Sequence, residues 1–253
     1  MSALAHPPAL SIRSAEKRFG AVTALDGVDL DVRRGEVVAL LGDNGAGKST
    51  LIKCISGAHR LDSGTIEMNG EPVTIHSPAD ARALGIETVY QDLALFDNLT
   101  PSENFYAGRE LARPRYLPRS LRILRRRDMR DATEQVLNRL QVSLPNLNSI
   151  VGLMSGGQRQ AVAVSRAAAF ASNVVILDEP TAALGIRESR RVLELIRRLR
   201  DEDRAVLVIS HAMDHVMQVA DRVVVLRRGR KVGELVPSAE THKQIESLIV
   251  GGD

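Results

Sequence analysis

The chain of 253 residues has no tryptophan, three tyrosines and four phenylalanines. So few rings leave little on which bases could stack, and no nucleic-acid partner is expected. There is one cysteine, Cys54, so no internal disulfide can form and a reducing compartment fits. Cys54 itself reads as a small apolar residue on the inner face of a helix. No apolar run reaches the ~18–20 residues that span a bilayer, and the candidate at 161–177 is broken by Arg166. Residues 1–10 carry neither a basic patch nor an apolar core, so no secretory signal is expected there. The net charge is only +3, weak evidence for any anionic partner. The expectation is a soluble chain, sized for one large domain or a core with a subdomain, whose work at a membrane would need a partner.

What the chain does contain is Gly42-Asp43-Asn44-Gly45-Ala46-Gly47-Lys48-Ser49, which meets the phosphate-loop pattern G-x-x-x-x-G-K-[ST] at every fixed position. The apolar run Val37 to Leu41 leads into it as a buried strand, and a helical pattern starts near Ser49. The glycines let the backbone curl so that successive N–H groups face phosphate oxygens, and the helix N-terminus adds positive potential. Residues 42–50, through Thr50, are expected to line a nucleotide, with Lys48 on its β- and γ-phosphates and Ser49 on magnesium.

Along the chain, residues 10–41 alternate apolar and polar positions, with turns at Phe19-Gly20 and Arg34-Gly35, which predicts antiparallel strands. Thr65 to Met68 followed by Asn69-Gly70 is a hairpin signal. Ser77-Pro78 opens a short helix, and 86–90 is a strand ending at Gln91. From 93 to 166 the strand runs disappear and helical periodicity takes over, clearest from Asp128 to Leu140. Residues 93–166 are therefore expected as an all-helical insert within a core of 1–92 and 167–253. Buried-strand patterns return at Val174 to Leu177 and Ala205 to Ile209, with a helix over Arg187 to Arg200 between them, and that alternation implies a parallel sheet. A terminal hairpin is expected around Arg228-Gly229-Arg230, and Thr241 to Gln244 reads as a capping box opening a last helix that stops at Gly251. The arginine run from Arg113 to Arg130, with Tyr116 its one aromatic residue, reads as a solvated helix face ahead of a lipid or nucleic-acid contact.

Three buried strands end in polar groups: the phosphate loop, Asp178-Glu179 and Ser210-His211. Ligands of parallel α/β sheets sit outside the carboxyl ends of strands, so these tips are expected to converge on one nucleotide. Asp178 would orient magnesium through water, Glu179 would accept a proton from the attacking water, and His211 would touch the γ-phosphate. His211 and His215 have metal-ligand spacing, but the segment between them lacks the glutamate of a zinc protease, and the metal reading is set aside. Met154-Ser155-Gly156-Gly157-Gln158 forms another backbone anion site at a helix start. One chain cannot easily bring two such sites to one phosphate chain; two chains placed head to tail can.

Together, the phosphate loop, Gln91, Ser155-Gly156-Gly157-Gln158, Asp178-Glu179 and His211, in that order, resemble the ATP-binding subunits of ABC transporters over nearly the whole chain. The resemblance implies an α/β fold: a P-loop NTPase (RecA-like) core with an N-terminal antiparallel β-subdomain and an inserted all-α subdomain. It implies hydrolysis of ATP with magnesium, Gln91 sensing the metal and the water and coupling to transmembrane permease subunits, and Phe19 stacking on adenine. It implies a second ATPase subunit (a head-to-tail homodimer), an extracytoplasmic solute-binding protein as an indirect partner, and a peripheral seat on the cytoplasmic face of the inner membrane. More narrowly, Ser77 to Ala81 with Gly85-Ile86, Val89 to Gln91, Leu93 to Phe96, Asn98 to Thr100, Glu103-Asn104 and Gly108 to Glu110 resemble the bacterial monosaccharide importers of ribose, xylose or fructose type. The alternative, a soluble ABC ATPase acting on nucleic acid or the ribosome, usually carries two cassettes or long inserts. The chain departs from the family pattern twice. Met154 stands where leucine is usual, a swap that conserves volume. The loop after Glu179 ends Ala183-Leu184-Gly185 where the family usually has Leu-Asp, which by resemblance reads as a subfamily trait.

Overall fold

The computed structural model of the chain describes residues 7–113 and 123–251. β1 (Leu10–Phe19) and β2 (Val22–Val32) pair antiparallel across a turn at Gly20, and the chain then enters β3 (Val37–Leu41), which is buried at every position. A strand covered on both faces has no polar side to show, which is why β3 reads as an unbroken apolar run while β1 and β2 alternate. After the phosphate loop come α1 (Lys48–Ile55), β4 (Ser63–Met68), β5 (Glu71–Val73), α2 (Pro78–Ala83) and β6 (Ile86–Val89). The order β2-β1-β4-β5 makes the antiparallel subdomain expected from the alternation.

The insert holds α3 (Pro101–Tyr106), β7 (Ala112–Arg113), β8 (Ile123–Leu124), α4 (Arg126–Arg139) and the start of α5 (Gly156–Phe170). It is therefore not all-helical: β7 and β8 pair antiparallel. Two-residue strands leave too short a period to stand out among arginines. The arginine run lies partly in residues 114–122, outside the described part; Arg125, Arg126, Arg127 and Arg130 are exposed, as on a solvated face. Phe105, Leu137, Val151, Met154 and Val162 form the insert's own apolar core, so Met154 anchors the turn that follows it. α5 runs through residue 166, where the expected boundary between insert and core falls, so the two parts share a helix.

β9 (Val174–Asp178), α6 (Ile186–Asp201), β10 (Ala205–Ile209), α7 (Met213–Val219), β11 (Arg222–Arg227), β12 (Arg230–Leu235) and α8 (His242–Val250) complete the chain. The second sheet has the order β12-β11-β3-β10-β9-β6, parallel except for the edge strand β12. α6 lays Val192, Leu193, Leu195, Ile196 and Leu199 against it. Burying each such side chain stabilises by about 1.5–3 kcal/mol, enough to fix the helix on the sheet. α8 ends at Gly251 in the left-handed conformation, as expected, but no side-chain cap opens it. The Thr241 hydroxyl turns back instead to the carbonyl oxygens of Val236 and Ser238. No helix among the described residues is long and apolar enough to cross a membrane.

Candidate active site

Strand register decides what meets at the carboxyl edge. Ile209 of β10 lies opposite Leu40 of β3 on one side and Asp178 of β9 on the other. The phosphate loop, Asp178-Glu179 and Ser210-His211 therefore leave the sheet side by side. Gln91 follows β6, the neighbour of β9, and stands exposed in the turn.

The phosphate loop needs its glycines. Gly42, Gly45 and Gly47 have φ of 151°, 76° and 105°. A Cβ at Gly42 would run into the carbonyl of Leu226, and one at Gly47 would sit 2.6 Å from that of Ala24. Within the loop Ala46 N–H donates to Asp43 O (3.1 Å) and Asn44 N–H to the Asp43 carboxylate (2.7 Å), while Gly229 N–H donates to Ala46 O (3.0 Å). Lys48 Nζ donates to the loop carbonyls of Gly42 (2.8 Å) and Asp43 (3.0 Å). It thus crosses the mouth of the loop. α1 has Gly47 as N-cap and no side-chain cap, so Lys48, Ser49 and Thr50 present first-turn N–H groups to an anion. Cys54, on the buried face of α1, has its thiol pushed up to about 11 by burial, so it is an apolar packing group and not a nucleophile.

Glu179 has φ 51°, held by its N–H donating to Ile209 O at 2.9 Å. His211 Nδ1 lies 2.8 Å from Glu179 Oε1; the histidine is 75% exposed and the carboxylate 13%. Asp178 has its pKa raised by burial first and by Glu179 second, with Lys48 and Lys53 opposing. His215 does not join His211 on a ligand: its Nδ1 pairs with Thr181 Oγ1 at 2.9 Å. Phe19 stands 45% exposed at the β1–β2 turn, with its ring edge-on to His59 and Lys17 Nζ 5.6 Å from its centroid.

Ser155-Gly156-Gly157-Gln158 opens α5 with a reciprocal capping box: Gln158 N–H donates to Ser155 Oγ (3.3 Å), and Ser155 N–H to Gln158 Oε1 (2.9 Å). The helix begins at Gly156. This turn borders a cavity of about 480 Å³ shared with residues 141–145 and α6. The phosphate loop borders a different one, of about 580 Å³, with Arg227, Arg228 and Arg230. The strand tips thus meet along one edge of the sheet, and the cavity at the Ser155 turn is lined by none of the phosphate loop, Asp178, Glu179 or His211.

Two partners escaped the sequence reading. Arg166, seen only as a charge breaking an apolar run, reaches from α5 to the carbonyls of Ala94 (2.8 Å) and Leu93 (3.1 Å), just past Gln91. The one cation within the run 161–170 was the available signal. The Thr181–His215 pair joins the loop after Glu179 to α7 and had none.

The ABC transporter family pattern matches residues 25–182. The chain is 47% identical to the fructose import ATP-binding protein FrcA of Rhizobium meliloti, over 98% of this chain and 96% of that one. It is 49% identical to the xylose/arabinose import ATP-binding protein XylG of Sulfolobus acidocaldarius, over 87% and 85%. Identity to the ribose import ATP-binding protein RbsA 1 of Rubrobacter xylanophilus is 42%, over 96% of this chain and 47% of that longer one. Among solved structures, a nucleotide-free ATP-binding cassette from an ABC transporter superposes with TM-score 0.81 at 26% identity, covering 96% and 97% of the two chains. Another, the ADP conformation of an ATP-binding cassette of an ABC transporter, gives 0.78 at 25% identity, covering 96% and 99%. By sequence and by fold alike, the chain belongs to the ABC transporter family, as one of its ATP-hydrolysing cassettes.

Proposed function

We propose that the chain powers the import of a sugar, working as a head-to-tail pair on the cytoplasmic face of the membrane beneath separate permease subunits, with a solute-binding protein as a more distant partner. The observation that carries the sugar reading is the 47% identity to a fructose import ATP-binding protein across 98% of this chain. The head-to-tail reading is supported by the Ser155 turn opening on a cavity that no residue of the phosphate loop, Asp178, Glu179 or His211 lines. Each Ser155-Gly156-Gly157-Gln158 turn completes the pocket built by the other chain's phosphate loop.

In that pocket residues 42–50 hold the phosphates through backbone N–H groups, and Lys48 exchanges its two loop carbonyls for β- and γ-phosphate oxygens. Phe19 offers its exposed ring to the adenine. Among the described residues no cluster of three or more acidic, histidine or cysteine groups could cage a metal. The donor set instead fits magnesium, which keeps waters and takes one or two protein oxygens plus phosphates. Ser49 and Asp178 would hold it, with Gln91 alongside, and the buried, raised carboxyl of Asp178 is a group that a nearby cation would stabilise as the anion. Magnesium would supply charge neutralisation to the triphosphate.

Glu179 accepts a proton from water as that water attacks the γ-phosphorus. The bond to the bridging oxygen breaks, and ADP takes the electron pair. His211 holds the Glu179 carboxylate from its exposed side and reaches the γ-phosphate with its remaining nitrogen. Gln91 reports the state of the site to the permease. The test combines two measurements. Glu179→Gln with ATP and magnesium should run at twice the monomer mass in sizing with light scattering, and a permease should copurify with the native chain. A hydrolysis-defective protein that stays monomeric with ATP removes the head-to-tail reading.

A further inference from the structure

Gly157 and Gly185 are both bare on the side where Glu188 lies. A Cβ on Gly157 would stand 2.6 Å from Glu188 Cγ and 2.9 Å from its Cβ; a Cβ on Gly185 would stand 2.7 Å from Glu188 Oε2. Gly185 has φ −68°, a conformation open to any residue, so its backbone does not call for glycine. The Glu188 carboxylate occupies the place that a side chain there would take. The stem of Glu188 lies on Gly157, in the first turn of α5, and its carboxylate ends on Gly185, the N-cap of α6. Gly185 offers no side-chain cap, and the first-turn N–H groups of α6 present positive potential to an acid placed there. Leu184 touches the same turn from the loop side, 3.5 Å from where a Cβ on Gly156 would be.

The two glycines belong to opposite jobs. Gly185 ends the loop that leaves Asp178-Glu179, the hydrolytic groups of the chain's own site. Gly157 lies in the turn that this chain lends to its partner's site. We propose that Glu188 is a positioning residue that holds these two loops in fixed register and so couples the two nucleotide sites of the pair. The proposal rests on the head-to-tail reading above.

The geometry sets up a reciprocal rescue. Gly185→Asp puts a second carboxylate against the first, and removing Glu188 vacates that space. The full chain, with ATP and magnesium, is assayed for kcat, KM and Hill coefficient as wild type, Glu188→Ala, Gly185→Asp and the double variant. Glu188→Ala should lose about tenfold or more in kcat, as loops that slip out of register do. Its Hill coefficient should fall to about 1 while fluorescent-ATP affinity of the single subunit holds. Gly185→Asp should also be slow, and the double variant should recover to within about threefold of wild type, the signature of coupled neighbours. A helix cap alone would lower the Tm and leave the Hill coefficient unchanged. That result, an indifferent Glu188→Ala, or a double variant no faster than Glu188→Ala overturns the proposal. A wild type that neither pairs nor turns over cooperatively sinks the head-to-tail reading and the proposal together. A wild type that does both beside an indifferent Glu188→Ala sinks the proposal alone.

Discussion

His211 and Glu179 meet at 2.8 Å although they leave different strands, β10 and β9. The contact exists because Glu179 turns back in a left-handed conformation, tied by its own N–H to Ile209, two residues before His211. Glu179→Gln keeps that shape and removes the proposed base. Phosphate release should fall by about 100-fold or more, the usual weight of a positioned base, while ATP still binds. Turnover near that of the wild type would remove Glu179 from the role. His211→Ala should also slow phosphate release, with the Glu179 carboxylate left unheld.

Asp178 carries a charge that the folded chain disfavours. Its folded pKa lies above the unfolded value, so the folded state binds the proton more readily and this group's cost is present at neutral pH. The cost fades as pH falls through the raised pKa. Asp178→Asn should therefore raise the Tm of the nucleotide-free protein at pH 7, with the gain shrinking in acid, and should abolish magnesium-dependent turnover. Thermal melts from pH 7 down to about pH 4 read the first effect. A Tm that falls at pH 7 contradicts it.

Gly42 and Gly45 separate two costs of adding a methyl group. At Gly45 nothing lies within 4 Å of a Cβ, and Gly45→Ala bears only the left-handed backbone, about 1–2 kcal/mol. Gly42→Ala also drives a Cβ into the Leu226 carbonyl. It should weaken fluorescent-nucleotide binding at least about tenfold, with about 1–3 kcal/mol of lost stability from local strain. Equal effects at the two glycines would show that the Leu226 contact does not shape the loop.

Arg166 satisfies two carbonyls whose residues, Leu93 and Ala94, both have positive φ (62° and 45°). Arg166→Ala leaves the half-buried Leu93 carbonyl unpartnered at about 1–3 kcal/mol, while the exposed Ala94 turns its carbonyl to water. The Tm should fall by about 2–8 °C, and hydrogen exchange should quicken at residues 91–95. Unchanged exchange there would mean that the segment holds itself.

Cys54 should resist iodoacetamide in the native protein and react only in denaturant, because its thiol is buried and pushed up to about 11. Fast native labelling would contradict the packing of α1.

The parts of this molecule legible in the sequence are those where one residue type has one use. Val37 to Leu41 can only be a strand covered on both faces, and Gly42 to Ser49 carries its geometry in its glycines. The helix start at Ser155 to Gln158 is legible because its serine and glycines lie side by side. The illegible parts depend on chain segments far apart. Arg166 meets Leu93 across 73 positions, and Thr181 meets His215 across 34. The β7–β8 hairpin is too short to show a period. Thr241 carried the letters of a cap, but local hydroxyl competition from Ser238 and the Val236 carbonyl won its side chain. That outcome is the usual hazard for serine and threonine near a helix start.

α5 begins at the Ser155 turn and carries Arg166 eleven residues later, about 16 Å along the axis at 1.5 Å per residue. It has no proline or glycine beyond its first turn to bend it. A rod of this kind transmits displacement instead of absorbing it. On the proposed head-to-tail arrangement, a displacement at the serine end would be passed to the arginine end, and with it to the backbone just past Gln91. One stiff strut would thus join the turn proposed to feel a triphosphate to the segment proposed to push a neighbouring subunit.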